Sequence, residues 1–276
     1  MTHPHESVDI APAVAEARRP LRVDAVDFDA VRCRNCGAPL DTPYCGQCGQ
    51  ARAQRIGLRD LREEAWIRWR WFDKLSAQTA LRLFTGPGRV AREYVLGARS
   101  RHFHPLKLLL VAVGLLLVAL ARANYLQSHS QDQEVVSRAM ELAASYGKWS
   151  FSLGIAAILA ASLTIFPRRL GYNPIEHLVL AAYCHAVILL LVMLNMLPLM
   201  FDPQPEFVAA HKLASSYYLF AIKAVVVGLA FTQFFVLDLR REWWRLLVAV
   251  MVFIVVNWAL MHAYGQALSW YILNHA

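Results

Sequence analysis

Charge is scarce in this chain: Asp, Glu, Lys and Arg make up 17% of its 276 residues, while 57% are hydrophobic. Soluble globular domains carry roughly one quarter charged residues, so a purely water-soluble protein is excluded. Cysteine is scarce too, five in all, which excludes a dense disulfide scaffold. The 13 Gly and 12 Pro are too few for a collagenous or low-complexity chain. Residues 1–30 contain no apolar run of signal-peptide length, and their Ala, Pro and scattered charge predict a disordered leader that is not cleaved. No GxSxG, Walker or HExxH pattern occurs, and the apolar segments hold no carboxylate pair for acid–base work. An enzyme is therefore not the expected reading.

What the chain has in abundance is apolar length. A membrane span needs about 20 apolar residues to cross ~30 Å of hydrocarbon. Five stretches qualify or nearly do: Leu106–Ala123, Trp149–Phe166, Leu178–Met200, Ala214–Leu237 and Leu246–Tyr264. The second is the shortest, bounded by Trp149 and by Pro167-Arg168-Arg169. The expected fold is an all-α multi-pass membrane protein with about five transmembrane helices over residues 105–276. Trp149, Trp243, Trp244 and Trp270 fall near the span ends, where amphipathic rings are favoured.

Of the 28 Lys+Arg, 18 lie in residues 1–107 with 12 Asp+Glu, a net +6 against +2 for the remainder. Arg168 and Arg169 follow the second span, and Arg240, Arg241 and Arg245 follow the fourth. The alternate loops carry Arg138, Lys148 and Lys212 offset by five acids. Basic residues concentrate in cytoplasmic loops, so the N-terminus is expected inside and the C-terminus outside.

Cys33-Arg-Asn-Cys36-Gly37 and Cys45-Gly-Gln-Cys48-Gly49 form two CxxC pairs with eight residues between them. Two thiolates from each pair can bind one ion, and four soft sulfurs select tetrahedral Zn2+. The alternatives are two disulfides, a redox CxxC or an iron–sulfur cluster. Disulfides conflict with a cytoplasmic head, and redox chemistry needs only one pair on a strand–helix unit. The expectation is a small zinc ribbon over residues 31–51, closed and structural, whose short loop leaves the metal to supply most of the folding free energy.

Between ribbon and membrane, residues 55–104 are expected to form an amphipathic, interfacial helical linker. Leu58, Leu61, Ala65, Trp69 and Phe72 recur on one helical face, suited to a headgroup layer or to packing on the ribbon. The pattern breaks at Thr85-Gly86-Pro87-Gly88, and a second short helix, Arg89–Leu96, is expected to stop at Gly97. Arg99, Arg101 and Lys107 stand before the first span as candidates for anionic-lipid contact. His102 and His104 are expected at the same interface rather than in a second metal site.

These residues carry a resemblance. The ribbon with Tyr44 and Gln50, then Thr79-x-x-x-Leu83, Pro87-Gly88-Arg89-Val90, Tyr94-x-x-Gly97-x-Arg99 and Pro105, resembles a family of uncharacterised bacterial inner-membrane proteins with an N-terminal zinc ribbon. The resemblance covers about residues 31–110. It implies a bacterial inner membrane, zinc at Cys33, Cys36, Cys45 and Cys48, and a multi-pass body. It assigns no catalytic residue, because that family is a domain of unknown function.

Polar groups inside spans are costly and are functional candidates. Lys223 and Asn257 come out near mid-depth, with His185 and Gln233 nearer the cytoplasmic side, so that each pair could meet. Glu176-His177 at a span end is read as a helix-end interaction rather than a catalytic dyad. The leading reading is a non-enzymatic adaptor or regulator whose ribbon binds a protein partner and whose body contacts membrane lipids. The alternative is a small transporter or lipid-handling protein using Lys223, Asn257 and His185. Nucleic-acid binding is disfavoured because Asp60, Glu63 and Glu64 interrupt the basic stretch around Arg59 and Arg62.

Overall fold

The structure is a computed structural model, and it describes residues 22–23, 28, 31–67, 77–122, 152–201 and 204–275. Helices dominate: α1 (Leu58–Ile67), α2 (Ala77–Thr85), α3 (Pro87–Val95), α4 (Pro105–Arg122), α5 (Ser152–Ile165), α6 (Pro174–Phe201), α7 (Pro205–Phe234) and α8 (Leu239–His275). The β pairing among the described residues consists of two isolated bridges in the ribbon.

Four of these helices are long and apolar enough to cross a membrane: α4, α6, the Tyr217–Phe234 part of α7, and α8. The chain is thus a helical membrane-type protein with a cysteine cluster ahead of the bundle. The expected second span is represented by α5, which reaches about 21 Å at 1.5 Å per residue, short of the ~30 Å hydrocarbon core. Its expected beginning at Trp149 lies outside the described residues. So do Trp69 and Phe72 of the expected linker helix, whose pattern falls partly on α1.

Helix α3 is the piece that ties head to body. Pro87 starts it at the first helical position, where a missing N–H costs nothing, two residues earlier than the expected Arg89. It ends in a Schellman turn: Ala98 N–H donates to Glu93 O at 2.9 Å and Gly97 N–H to Tyr94 O at 3.1 Å, with Gly97 at φ +105°. Rather than lying on a surface, α3 buries Pro87, Gly88, Val90, Ala91, Arg92, Tyr94 and Val95, packing between α6 and α7. Gly88 permits this approach, because a Cβ there would stand 2.1 Å from Ala230 O on α7.

The core runs continuously from α3 through α4, α5, α6 and α7. At the ribbon end it is aromatic, with Phe166 stacked on Phe235 at 4.5 Å and Tyr172 tilted on Phe234 at 4.5 Å. Helix α4 packs chiefly on α6, whereas α8 contacts α7 and leaves Trp243, Trp244, Trp258 and Trp270 exposed. The disordered-leader reading of residues 1–30 is corrected at Val23 and Phe28, which are buried in this core. Val23 N–H donates to Leu170 O at 2.6 Å, against a turn where Leu170 and Gly171 both take positive φ. Residues 1–21, 24–27, 29 and 30 lie outside the described residues.

Candidate metal centre

The two CxxC segments fold as copies of one turn, twelve residues apart. Cys33 N–H donates to Ala38 O at 2.7 Å, and Cys45 N–H to Gln50 O at 2.8 Å. Gly37 N–H returns to Cys33 O, and Gly49 N–H to Cys45 O, each at 2.8 Å. Bridges Arg32–Pro39 and Tyr44–Ala51 close the two loops. Gly37 and Gly49 sit at φ +79° and +67°, and a Cβ on either would meet nothing within 4 Å. Glycine is needed there for the left-handed backbone, not for room around the sulfur.

These loops bring Cys33, Cys36, Cys45 and Cys48 together, all four Sγ atoms within 4.8 Å of one another. Two of the pairs run between loops, Cys33 to Cys48 at 3.6 Å and Cys36 to Cys45 at 3.5 Å. A tetrahedral ion with metal–sulfur bonds of about 2.3 Å would have edges of ~3.8 Å. The donor set therefore fits a four-coordinate metal ion. Cys33, Cys45 and Leu40 are the buried apolar residues of the ribbon's own cluster, too few to hold the fold without metal.

As free thiols the four are inequivalent. Burial pushes Cys36 up to about 12 and also raises Cys33. Cys45 is brought down to about 7, chiefly because the Cys48 backbone N–H donates to its sulfur, with burial opposing. Metal binding must displace the remaining protons.

The ribbon is fastened to the helices by buried polar bonds. Gln50, 2% exposed, donates from Nε2 to Gly97 O at 2.6 Å and accepts Ser100 N–H at Oε1 at 2.8 Å. Gly97 lies so close to the ribbon that a Cβ would stand 2.6 Å from that of Ala53. Arg55 donates from Nε and Nη2 to the two carboxylate oxygens of Glu176, each at 3.3 Å, and also to Gly171 O. Asn173 Nδ2 donates to Ile56 O at 3.0 Å.

Glu176 is fully buried at the start of α6. It accepts Asn173 N–H at 2.6 Å while Asn173 Oδ1 accepts Glu176 N–H at 2.8 Å, a capping box built on Asn. Its neighbour His177 bonds Ser162 on α5 through Nδ1. Glu176-His177 is thus a helix-end arrangement whose two members face different partners. Next to it, burial pushes the Tyr172 phenol up to about 12, against the pull of Arg92.

The juxtamembrane cations divide. Arg99 is only 7% exposed and donates to Gln54 O, which turns it inward and corrects its placement at lipid. The Lys107 ammonium is buried as well, and Arg101 stays half-buried. His102 pairs with Glu93 at 2.9 Å, and His104 packs edge-on to Tyr94.

The intramembrane candidates stand in different surroundings. Gln233 caps α3, accepting Gly88 and Arg89 N–H at 3.2 and 3.4 Å and donating to Thr85 O at 3.1 Å, so it does not bond His185. The His185 ring lies on the α5 backbone, where a Cβ at Gly154 would stand 2.2 Å from its Cε1. Lys223 and Asn257 are half-buried and make no side-chain hydrogen bond or ion pair among the described residues.

The fold and the site together define a helical membrane-type protein with a four-cysteine cluster able to hold a metal ion. A family described as a protein of unknown function (DUF3667) matches residues 77–117, which cover α2, α3 and most of α4. Neither the curated proteins nor the solved structures contain a match.

The inward Arg99, the α3 wedge and the Gln50 clasp were missed by periodicity. The usable signal was Gly88 directly after Pro87 together with Gln50 directly after the second CxxC-Gly loop.

Proposed function

We propose that this chain is a non-enzymatic membrane adaptor whose zinc ribbon offers a protein-binding face at the cytoplasmic surface of a bacterial inner membrane. Zn2+ held by Cys33, Cys36, Cys45 and Cys48 would be coordinatively closed and would act by shaping the ribbon. The observation that carries this reading is a shallow groove of about 450 Å³ beside the second cysteine loop, lined by Asp41, Thr42, Pro43, Tyr44, Ala51, Arg52 and Gln54, with Tyr44 65% exposed. Gln50 and Arg55 of the same segment bond to the helices. Exposed aromatic and Arg side chains are the types that anchor protein interfaces.

The orientation rests on charge. Helices α4, α6 and α8 start at the ribbon end and α5 and α7 finish there, which groups Arg168, Arg169, Arg240, Arg241 and Arg245 with the basic head. Such grouping favours the cytoplasmic side. Arg101 is the residue of the juxtamembrane set best placed for anionic headgroups.

Crosslinking in intact membranes tests the adaptor, using wild type, Cys45→Ser/Cys48→Ser and Tyr44→Ala/Arg52→Glu. One protein captured by wild type and lost from both variants supports it. Identical capture by all three forms, or capture of lipid alone, overturns it.

A further inference from the structure

Two of the bonds between ribbon and bundle come from residues a few positions downstream of the second cysteine loop. Gln50 follows Cys48-Gly49, and its own carbonyl accepts Cys45 N–H. Its backbone therefore belongs to the metal loop while its side-chain amide belongs to the bundle. The groups it satisfies are main-chain ones at a turn: Gly97 O, just past the end of α3, and Ser100 N–H, at the start of the Arg99–Arg101 turn. Buried backbone groups of this kind need a partner. Arg55, five residues on, places its guanidinium on the fully buried carboxylate of Glu176, and an uncompensated buried charge is strongly unfavourable.

We infer that the metal-loaded ribbon is a latch on the membrane bundle: ligation by the four cysteines sets the reach of Gln50 and Arg55, and these hold the α3–α4 turn and the first turn of α6 in place. This deepens the reading above and rests on its metal assignment. Without metal the ribbon's small apolar cluster does not keep Gln50 in register. Gly97 O and Ser100 N–H then lose the Gln50 amide, and Glu176 loses the guanidinium bonded to it, with the Arg99 charge left nearby. The consequence reaches the centre of the bundle, because α6 is the most buried of its long helices and α3 packs on it directly. The state of the four ribbon cysteines is thereby conveyed to the packing of the membrane helices.

The test uses the full chain in lipid nanodiscs, with metal content by mass spectrometry and hydrogen–deuterium exchange read on peptides spanning 96–103 and 172–178. A peptide from the middle of α8 serves as reference. Chelation should accelerate exchange of both peptides at least tenfold, leave α8 unchanged, and be reversed by added Zn2+. Gln50→Ala should keep its metal and still accelerate the 96–103 peptide. If metal is removed and both peptides keep their protection, the latch is overturned while the metal assignment stands. If α8 accelerates equally, the response is global unfolding and the latch is overturned. If the purified protein takes up no metal, the metal assignment fails and the latch with it.

Discussion

Arg55 reaches across 121 residues of sequence to place its guanidinium on Glu176, with Nε 3.3 Å from Oε1 and Nη2 3.3 Å from Oε2. The carboxylate is fully buried whereas the Arg55 side chain is 33% exposed. The cation can thus leave toward solvent, but the anion has nowhere to go. This asymmetry makes the pair a fastening rather than a source of net stability, since buried ion pairs often cost as much in desolvation as they return.

Arg55→Ala is therefore expected to destabilise more than the double variant Arg55→Ala/Glu176→Gln. The single change strips a buried carboxylate of the guanidinium bonded to it, a loss of about 3 kcal/mol at the lower end of the range for broken buried pairs, because Arg55 is partly solvated and the Arg99 charge stays nearby. The double change removes the charge and keeps an acceptor for Asn173 N–H. Thermal unfolding of the purified chain in detergent would check the order. A double variant that melts below the single one contradicts the fastening.

Gly88→Ala should be among the most damaging single-methyl changes in the chain. Its Cβ would stand 2.1 Å from Ala230 O and 2.8 Å from Ala230 C, both backbone atoms of α7, so α3 must move. Overpacking of this kind costs about 1–3 kcal/mol or more, and displacing α3 also breaks the Gln233 cap. Gly114→Ala and Gly265→Ala are the controls, because a Cβ there meets nothing within 4 Å. They should be neutral or gain up to about 1 kcal/mol from helix propensity. Equal melting temperatures for all three variants would remove the case for a tight α3–α7 contact.

How much of this was legible beforehand depends on how far apart in the chain the partners lie. The cysteine cluster was legible because its four ligands and two glycines lie within 17 residues of sequence, Cys33 to Gly49, and the twelve-residue repeat fixes their hydrogen bonds locally. The apolar helices were legible from hydropathy, and the stop at Gly97 from glycine alone. The inward turn of Arg99 was not, because its partner is the main-chain oxygen of Gln54, and no side-chain pattern advertises a backbone acceptor. Charge before a span reads as lipid contact by default. Val23 illustrates the same limit: one of several scattered apolar residues in residues 1–30, it carries no compositional mark of the backbone partner it finds at Leu170. Gln233 lies within the candidate span Tyr217–Phe234 as expected, but its partners were not legible, because depth along an isolated helix says nothing of α3 inserted beside it.

The two loop glycines allow a graded test of the metal centre. Gly37→Ala and Gly49→Ala each force an L-residue into a left-handed conformation, at a cost of about 1–2 kcal/mol, with no steric contact to add to it. Metal affinity is folding free energy in so small a unit, so each variant should bind Zn2+ roughly tenfold more weakly, measured by competition with a chromogenic chelator. Cys45→Ser should lose stoichiometric metal altogether. Gly→Asn, which tolerates the left-handed region, should recover part of the affinity. Alanine variants that bind as tightly as wild type would mean the loops are not shaped by metal.

The arrangement of the helices also commits the chain to a sidedness that reporters can read. The ribbon, the Arg168–Arg169 turn and the start of α8 share one end, where Arg169 chelates Glu242 at 2.6 and 2.7 Å and donates to Phe235 O at 2.9 Å. That clamp holds the α5–α6 and α7–α8 turns side by side, so both must lie on the same face of the membrane as the ribbon. Helix α8 then carries the chain away from that face over Leu239–His275, about 55 Å at 1.5 Å per residue, which exceeds a bilayer core even with tilt. A reporter active only in the cytoplasm should work when fused before Val31 and fail when fused after Ala276, with the converse for one active only outside. Substituted cysteines at Arg240 and Gln266 should label from opposite sides in sealed vesicles. Cytoplasmic activity of the Ala276 fusion would break the alternation of helices and, with it, the assignment of the basic end to the cytoplasm.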